Sequence, residues 1–504
     1  MVTSVLVAKQ KNRNSFSMEQ ISPRLRSLCG FPALLAVLIA GSIFLTLPRT
    51  NADPDLGWHL RNAQYQLEHR AFLRQDLYSF TTRGKPWMDH EWLAEIPFYL
   101  GWKWFGARGI FFVAYATITA ILLGIYALAW MQSGNTKAAF VISALAICLA
   151  SVSFGPRTLL FGWLFLVVEI AILFNFRNAP NFLWILPPLF LVWVNTHGSW
   201  LIGLVLLILF ALSGCLDGRW GMIDARYWTI QQGRTLTAVI ALSVLALFVN
   251  PYGWRLVAYP FNLAFHQKLN IANVVEWRTL DFHSLRGKIV LASLLLAIVL
   301  HLVRGRRWML HEVLFLLIGM YAGFTYSRFL FLTAILVLPF LARDIKPWMP
   351  RYRAESDKPW LNAVIMFVCI AAICLKFPTG RQIFRAEYSR FPDGARKYLE
   401  AVHPNGNVLN DYLWGGYMIW NLPQVPVFVD SRVDVFEYNG VFKDYLDMVH
   451  LRGSLGVLDK YHIRYVLFER DSSLSYLLEH TPEWKIDYQD QTSILFERSG
   501  QTAR

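Results

Sequence analysis

Two carboxylates, Asp53 and Asp55, stand one residue apart in the run Asn51-Ala52-Asp53-Pro54-Asp55-Leu56-Gly57-Trp58-His59-Leu60, with His59 four positions further on. Acidic oxygens at that spacing can share a divalent cation, which takes oxygen ligands and often keeps water. One of them can instead serve as general base toward an acceptor hydroxyl. An Asp ahead of an apolar-periodic run is also a common helix N-cap, and a D-x-D occurs often by chance. Further residues suited to binding or proton transfer recur in short polar stretches along the chain. These are His90-Glu91, Arg157, Asn195-Thr196-His197-Gly198, Asn250-Pro251-Tyr252-Gly253-Trp254-Arg255, Glu276-Trp277-Arg278 and Arg328.

The elements that must position these residues are apolar. Of 504 residues, 55% are hydrophobic and 16% charged, against about 25% charged in a soluble globular chain. That composition reads as a membrane protein, mainly α. The 20 Trp and the aromatic share of 15% suit interfacial belts. The net charge of +14 is scattered in short clusters, without a basic stripe interleaved with aromatics. It fits cytoplasmic loop charge and anionic head groups, and no nucleic-acid partner is expected. Cys29, Cys148, Cys215, Cys369 and Cys374 all fall in or beside apolar segments, as buried thiols without a disulfide framework.

Residues 1–30 form a basic, cytoplasmic N-terminus, and the apolar run Phe31 to Leu47 reads as an uncleaved first helix. A polar and aromatic first loop, 48–108, contains amphipathic stretches at Leu56–Leu67 and Trp92–Phe105 that suit surface helices. Apolar runs follow at 109–131, 137–153, 157–175, 181–196, 198–216, 235–250, 288–303, 309–325, 327–342 and 360–376. With the first, they make roughly eleven spans, several shorter than the ~20 residues an upright helix needs. If the N-terminus is inside, the cytoplasmic connections carry the clustered Lys and Arg, such as Arg304-Gly305-Arg306-Arg307 and the group between Arg343 and Lys358. The short outer connections carry only single basic residues, such as Arg157 and Arg328, an asymmetry that follows the positive-inside rule.

This topology puts Asp53, Asp55, His59, His90, Glu91, Arg157, His197, Arg255, Glu276 and Arg328 on one side of the membrane. Arginines on neighbouring loops can hold a phosphate by paired charge-assisted hydrogen bonds. Acid beside arginine at a lipid boundary therefore suits transfer from a lipid-linked phosphate. Plainer roles stand beside this one. Asn-Pro-Tyr-Gly is a turn by composition, and His197 can be a packed residue in a tight connection. Arg157 and Arg328 can snorkel to head groups, and His90-Glu91 can simply face water.

From residue 378 to 504 the pattern becomes that of a small α/β extracytoplasmic domain. Strand-like runs at Asn407–Asn410, Val425–Asp430, Tyr465–Glu469 and Ser493–Glu497 alternate with helix-like runs at Asp393–Val402, Val441–His450 and Ser454–Tyr461. Asp430-Ser431-Arg432-Val433-Asp434 follows a strand-like run, where Asp430 and Asp434 either bind sugar or acceptor or form a turn with an internal Arg–Asp pair.

The chain resembles the multi-spanning GT-C glycosyltransferases that use polyprenyl-phosphate-linked sugars. The likeness is carried by Asp53-Pro54-Asp55 directly after the first span, the long first loop, the many-helix body and the C-terminal domain. Asp53-Pro54-Asp55-Leu56-Gly57-Trp58-His59-Leu60, His90-Glu91-Trp92-Leu93 and Asn250-Pro251-Tyr252-Gly253-Trp254 look like those of largely uncharacterised bacterial members. The resemblance implies that Asp53 or Asp55 is catalytic base or metal ligand, with a divalent cation left open because members differ in metal use. It implies a lipid-linked sugar donor, a glycan, lipid or protein acceptor, and residence in the bacterial inner membrane. Asp411-Tyr412-Leu413-Trp414 is only superficially similar to the oligosaccharyltransferase Trp-Trp-Asp motif, which speaks against transfer to protein asparagine. A transporter or scaffold without chemistry is the alternative. It would prefer ionisable residues deep in several spans, where Glu169 and Glu312 are the main cases.

Overall fold

The computed structural model describes residues 28–274 and 277–499. Every apolar run becomes helix, because in a chain segment with few polar side chains only the helix satisfies its backbone internally. Among the described residues, three helices are long and apolar enough to cross a membrane: Ala107–Ser133, Thr136–Ser153 (its last turn 3₁₀) and Pro359–Lys376. Shorter apolar helices include Phe31–Thr46, Leu159–Asn175, Trp200–Ser213 and Leu310–Thr325.

The expected span 327–342 is not one helix. A 3₁₀ turn, Ser327–Phe329, leads into Leu330–Leu336, and a second helix, Leu338–Ile345, begins one residue later. The break falls at Val337, with Pro339 in the first turn beyond it, where proline tolerates the missing donor. Both pieces are buried throughout and form the centre of the bundle's hydrophobic core. Glu312 is not an isolated intramembrane charge, since Arg343 Nη1 pairs with it at 2.8 Å.

The first loop forms two helices, Leu56–His69 and Trp92–Phe105, as the amphipathic pattern predicts. The C-terminal part builds a four-stranded sheet in the spatial order Asn407–Asn410, Ile463–Glu469, Ser493–Arg498, Trp484–Gln489. The first pair is parallel and the others antiparallel. Val425–Asp430, expected as a strand, makes only an isolated bridge between Val427 and Ser79 of the first loop. Pro426 removes a ladder donor there, and the Asn410 side chain takes the place of a neighbouring strand. Its Oδ1 accepts from the Phe428 N–H at 2.8 Å, and its Nδ2 donates to the Val429 carbonyl at 2.7 Å.

The C-terminal part and the first loop share one core, in which Trp58, Leu73 and Trp87 pack with Trp414, Val427 and Phe436. Their closest approach is glycine on glycine. A Cβ at Gly57 would strike the Gly416 carbonyl, and one at Gly416 would strike the Pro54 carbonyl. Gly57→Ala is therefore expected to destabilise the protein by about 1–3 kcal/mol, read as a lowered unfolding temperature in detergent. Gly233→Ala, inside the helix Ile230–Ala246 with nothing within 4 Å, serves as the comparison and is expected to stabilise by up to about 1 kcal/mol.

Candidate active site

The acidic run lies at the junction just described. Asp55 is the N-cap residue of Leu56–His69, but its carboxylate makes no cap hydrogen bond. Capping therefore does not account for its side chain. Asp53 folds the loop, its Oδ1 accepting from the Asp55 N–H at 3.0 Å. Its Oδ2 faces Arg157 Nε at 3.0 Å. Ser431 Oγ accepts from Trp58 Nε1 at 2.9 Å and donates to the Pro54 carbonyl at 3.2 Å, which ties the acidic turn to the C-terminal part.

Asp53 and Asp55 open onto a cavity of about 740 Å³. The same cavity is lined by His90, Glu91, Arg157, His197 and Arg328, residues of four separate connections. Leu201, Ile202, Leu263 and Phe329 make its apolar side. Arg328 lies 4.3 Å from the Trp277 ring centroid, a cation–π placement that fixes its plane.

In the wall itself sits a buried ionisable cluster centred on Glu91. Its Oε1 faces His197 Nε2 at 3.2 Å and His90 Nε2 at 3.5 Å. Its Oε2 accepts from Thr158 Oγ1 at 2.7 Å and faces His59 Nε2 at 3.5 Å. The cluster extends inward, because His59 Nδ1 meets Glu95 Oε1 at 2.7 Å. Burial alone would raise the Glu91 carboxyl, but His197, His90 and His59 together bring it well below the usual carboxylate range. Burial drives His59 and His197 down to about 4 against the pull of Glu91. His90 goes the other way: burial opposes its charge, yet its hydrogen bond and attraction to Glu91 raise it. Burial also raises Asp89 to about 6 and holds Glu95 well above its ordinary value. At neutral pH Glu91 and Asp89 are thus anionic and His59 and His197 neutral, while Glu91 biases His90 toward its charged form.

Most of the predicted residues meet here. His59 stands just behind the lining, on Glu91. Arg255 does not join them: on the helix Trp254–His266 it is exposed and absent from the cavity wall. The turn before it accounts for that position, since Asn250 Oδ1 accepts from the Tyr252 N–H at 2.8 Å and Gly253 takes φ +60°. The Tyr252 hydroxyl then anchors the turn on the Leu73 carbonyl at 2.9 Å. Glu276 lies outside the described residues.

Sequence reasoning missed Asp89, Glu95 and Tyr259 and undervalued Asp434. Glu95 is one helical turn from Glu91 in a helix whose one other charged residue is Lys103, a signal available in the sequence. Tyr259 stacks on His90 with centroids 4.0 Å apart, a contact that no local pattern announces. Of the two readings of Asp430-Ser431-Arg432-Val433-Asp434, the turn holds for Asp430, which pairs with Arg432 at 2.6 Å. Asp434 instead reaches the cavity wall, where burial raises its carboxyl against the opposing charges of His90 and Arg432.

Among the described residues, no group of three or more His, Cys, Asp or Glu side chains has the arrangement to hold a metal ion. At the acidic run both Asp53 oxygens are engaged, one by the Asp55 N–H and one by Arg157, which sets a positive charge beside that carboxylate.

This architecture, a many-helix body with a two-helix first loop and a C-terminal α/β part, is shared with solved structures. The chain is similar to the oligosaccharyltransferase of Archaeoglobus fulgidus tethered with an acceptor peptide, at a TM-score of 0.51 and 11% identity over 93% of this chain and 74% of that one. It is also similar to the arabinofuranosyltransferase AftD from Mycobacteria, at 0.54 and 12% over 95% of this chain, spanning 40% of that longer chain. At such identities the likeness is one of fold. No protein-family model and no curated protein sequence matches the chain.

Proposed function

We propose that the protein is a membrane glycosyltransferase moving a sugar from a polyprenyl-phosphate-linked donor to an acceptor hydroxyl at the outer face of the membrane. The observation that carries this reading is that one cavity gathers the carboxylate pair and two arginines from separate connections, with an apolar side toward the bundle. Both similar structures are by name glycosyl-transferring enzymes, which agrees with the reading.

In this reading Asp55 takes the acceptor hydroxyl proton as the acceptor oxygen bonds to the anomeric carbon. The bond from that carbon to the phosphate oxygen breaks, and polyprenyl phosphate leaves with inversion at the sugar. Asp53 positions Arg157, and Arg157 and Arg328 balance the charge that develops on the leaving phosphate, where a bidentate guanidinium is most effective. His90, which Glu91 biases toward its charged form, stands in the same cavity wall and adds to their field. The test is mass spectrometry of lipid-linked and surface glycans with and without the gene, where loss of one sugar increment supports the reading and unchanged glycans overturn it.

The histidine cluster gives a pH prediction. Glu91 holds His90 above its ordinary value of 6.5, so its charge persists to higher pH than that of a free imidazole and is lost as pH climbs through the raised value. In Glu91→Gln the attraction is gone and burial dominates. The alkaline limb of the activity profile is then expected to move to lower pH by about 1–3 units. An unmoved limb in a pH–rate series would remove His90 from the account.

A further inference from the structure

A second pocket, of about 550 Å³, lies at the other end of the bundle and is lined by Phe31, Lys137, Arg351, Tyr352, Arg353 and Asp357 among others. The helix Phe31–Thr46 connects the two regions. Its 16 residues span ~24 Å at 1.5 Å per residue, with Thr46 leading to the acidic run and Phe31 in this pocket.

The charges here are not balanced. The acid in the wall, Asp357, is committed to holding the loop. Its Oδ2 accepts from the Phe31 N–H at 2.9 Å and the Tyr352 hydroxyl at 2.8 Å, and its Oδ1 from Asn362 Nδ2 at 2.8 Å. The other acid of the 346–358 loop, Glu355, is exposed and outside the lining. Lys137 projects over the Phe31 ring at 5.7 Å, and Tyr352 stacks on the same ring with centroids 6.3 Å apart at 18°. Three cations therefore face one pocket, and among the described residues none of them is in a salt bridge.

The surroundings are those of a membrane boundary. Trp348 and Trp360 are 57% and 58% exposed beside the pocket, as tryptophans at a lipid–water interface are. Pro359–Lys376, which starts at the pocket, is membrane-spanning in length and has only 6% of its apolar window buried by protein, so its flank is open to lipid.

We propose that this pocket binds the phosphodiester head group of an anionic membrane phospholipid, with Lys137, Arg351 and Arg353 on the phosphate and Phe31 and Tyr352 against the glycerol. The site is independent of glycosyl transfer, since it lies at the far end of the bundle and shares no residue with the acidic cavity. A soluble phosphate would satisfy the same cations but would make no use of the aromatic, lipid-facing surroundings.

The full-length protein in detergent, titrated with phosphatidylglycerol or phosphatidylcholine and read by native mass spectrometry, tests this. Phosphatidylglycerol is expected to be retained in preference to phosphatidylcholine. Arg351→Gln with Arg353→Gln is expected to weaken its retention by about 25-fold, or about fivefold per cation. Arg351→Lys with Arg353→Lys keeps the charge and is expected to keep most of the binding, which separates lost charge from lost folding. Equal retention of the two lipids, or unchanged binding by the Gln pair, overturns the proposal. Displacement of phosphatidylglycerol by millimolar inorganic phosphate overturns the lipid assignment in favour of a free phosphate.

Discussion

Asp55→Asn is expected to lower glycosyl transfer by about 10²–10⁴-fold, while membrane insertion and unfolding temperature stay as in the wild type. The Asp55 carboxylate makes no cap hydrogen bond, so the start of Leu56–His69 is preserved and only the proton acceptor is removed. The loss should fall on turnover, because the donor's charge is held elsewhere. Asp53→Asn should behave differently. It keeps the acceptor for the Asp55 N–H but drops the charge that holds Arg157 at 3.0 Å. Donor binding should then weaken along with turnover, and Arg157→Ala should reproduce that pattern. If Asp53→Asn and Asp55→Asn are both fully active with a lipid-linked donor, the catalytic assignment fails.

Arg432→Met is expected to destabilise the protein by about 3–5 kcal/mol, the largest effect on folding we foresee. Arg432 is 3% exposed. It pairs with Asp430 at 2.6 Å and Asp76 at 2.8 Å and lies over the Trp87 and Tyr78 rings at 4.8 and 5.0 Å. Removing it leaves two buried carboxylates facing each other across the seam between the first loop and the C-terminal part. In the wild type, burial works to raise Asp76, but Arg432 and the Ser79 hydroxyl bring it below its ordinary value of 3.8. Its contribution is thus fully present above that value and is lost as pH falls through the lowered one. Without Arg432, burial prevails and Asp76 is raised, so acid should relieve the variant. The stability deficit is expected to be widest at neutral pH and to narrow toward pH 4 in thermal unfolding series. Adding Asp76→Asn and Asp430→Asn should recover part of it. A deficit independent of pH would mean that Arg432 acts by packing alone.

These two positions show how differently sequence and structure inform. Asp53 and Asp55 stand out locally, after an apolar run, and charge placement on the connections groups them with Arg157, His197 and Arg328. The apolar runs themselves become helices because their composition leaves no alternative. Arg432 could be read only as a local turn partner of Asp430. Its second partner, Asp76, is 356 residues away, and no periodicity encodes that distance. The Val425–Asp430 segment misled for a related reason: its β-branched composition is right for a strand, but its hydrogen bonds go to an asparagine side chain and to the first loop. Arg255 looked equivalent to Arg157 because both lie on the same side, yet side is not direction, and the Asn250–Gly253 turn leaves it exposed outside the cavity. Span length was equally deceptive at 327–342, where Val337 and Pro339 divide an unbroken apolar run.

The central claim is best tested by reconstituting the purified full-length protein in vesicles with a radiolabelled polyprenyl-phosphate sugar and extracted cell-envelope acceptor. The account predicts that the wild type transfers label to the acceptor and releases polyprenyl phosphate, and that Asp55→Asn does neither while binding the donor. Transfer at equal rates by the wild type and Asp55→Asn would contradict it.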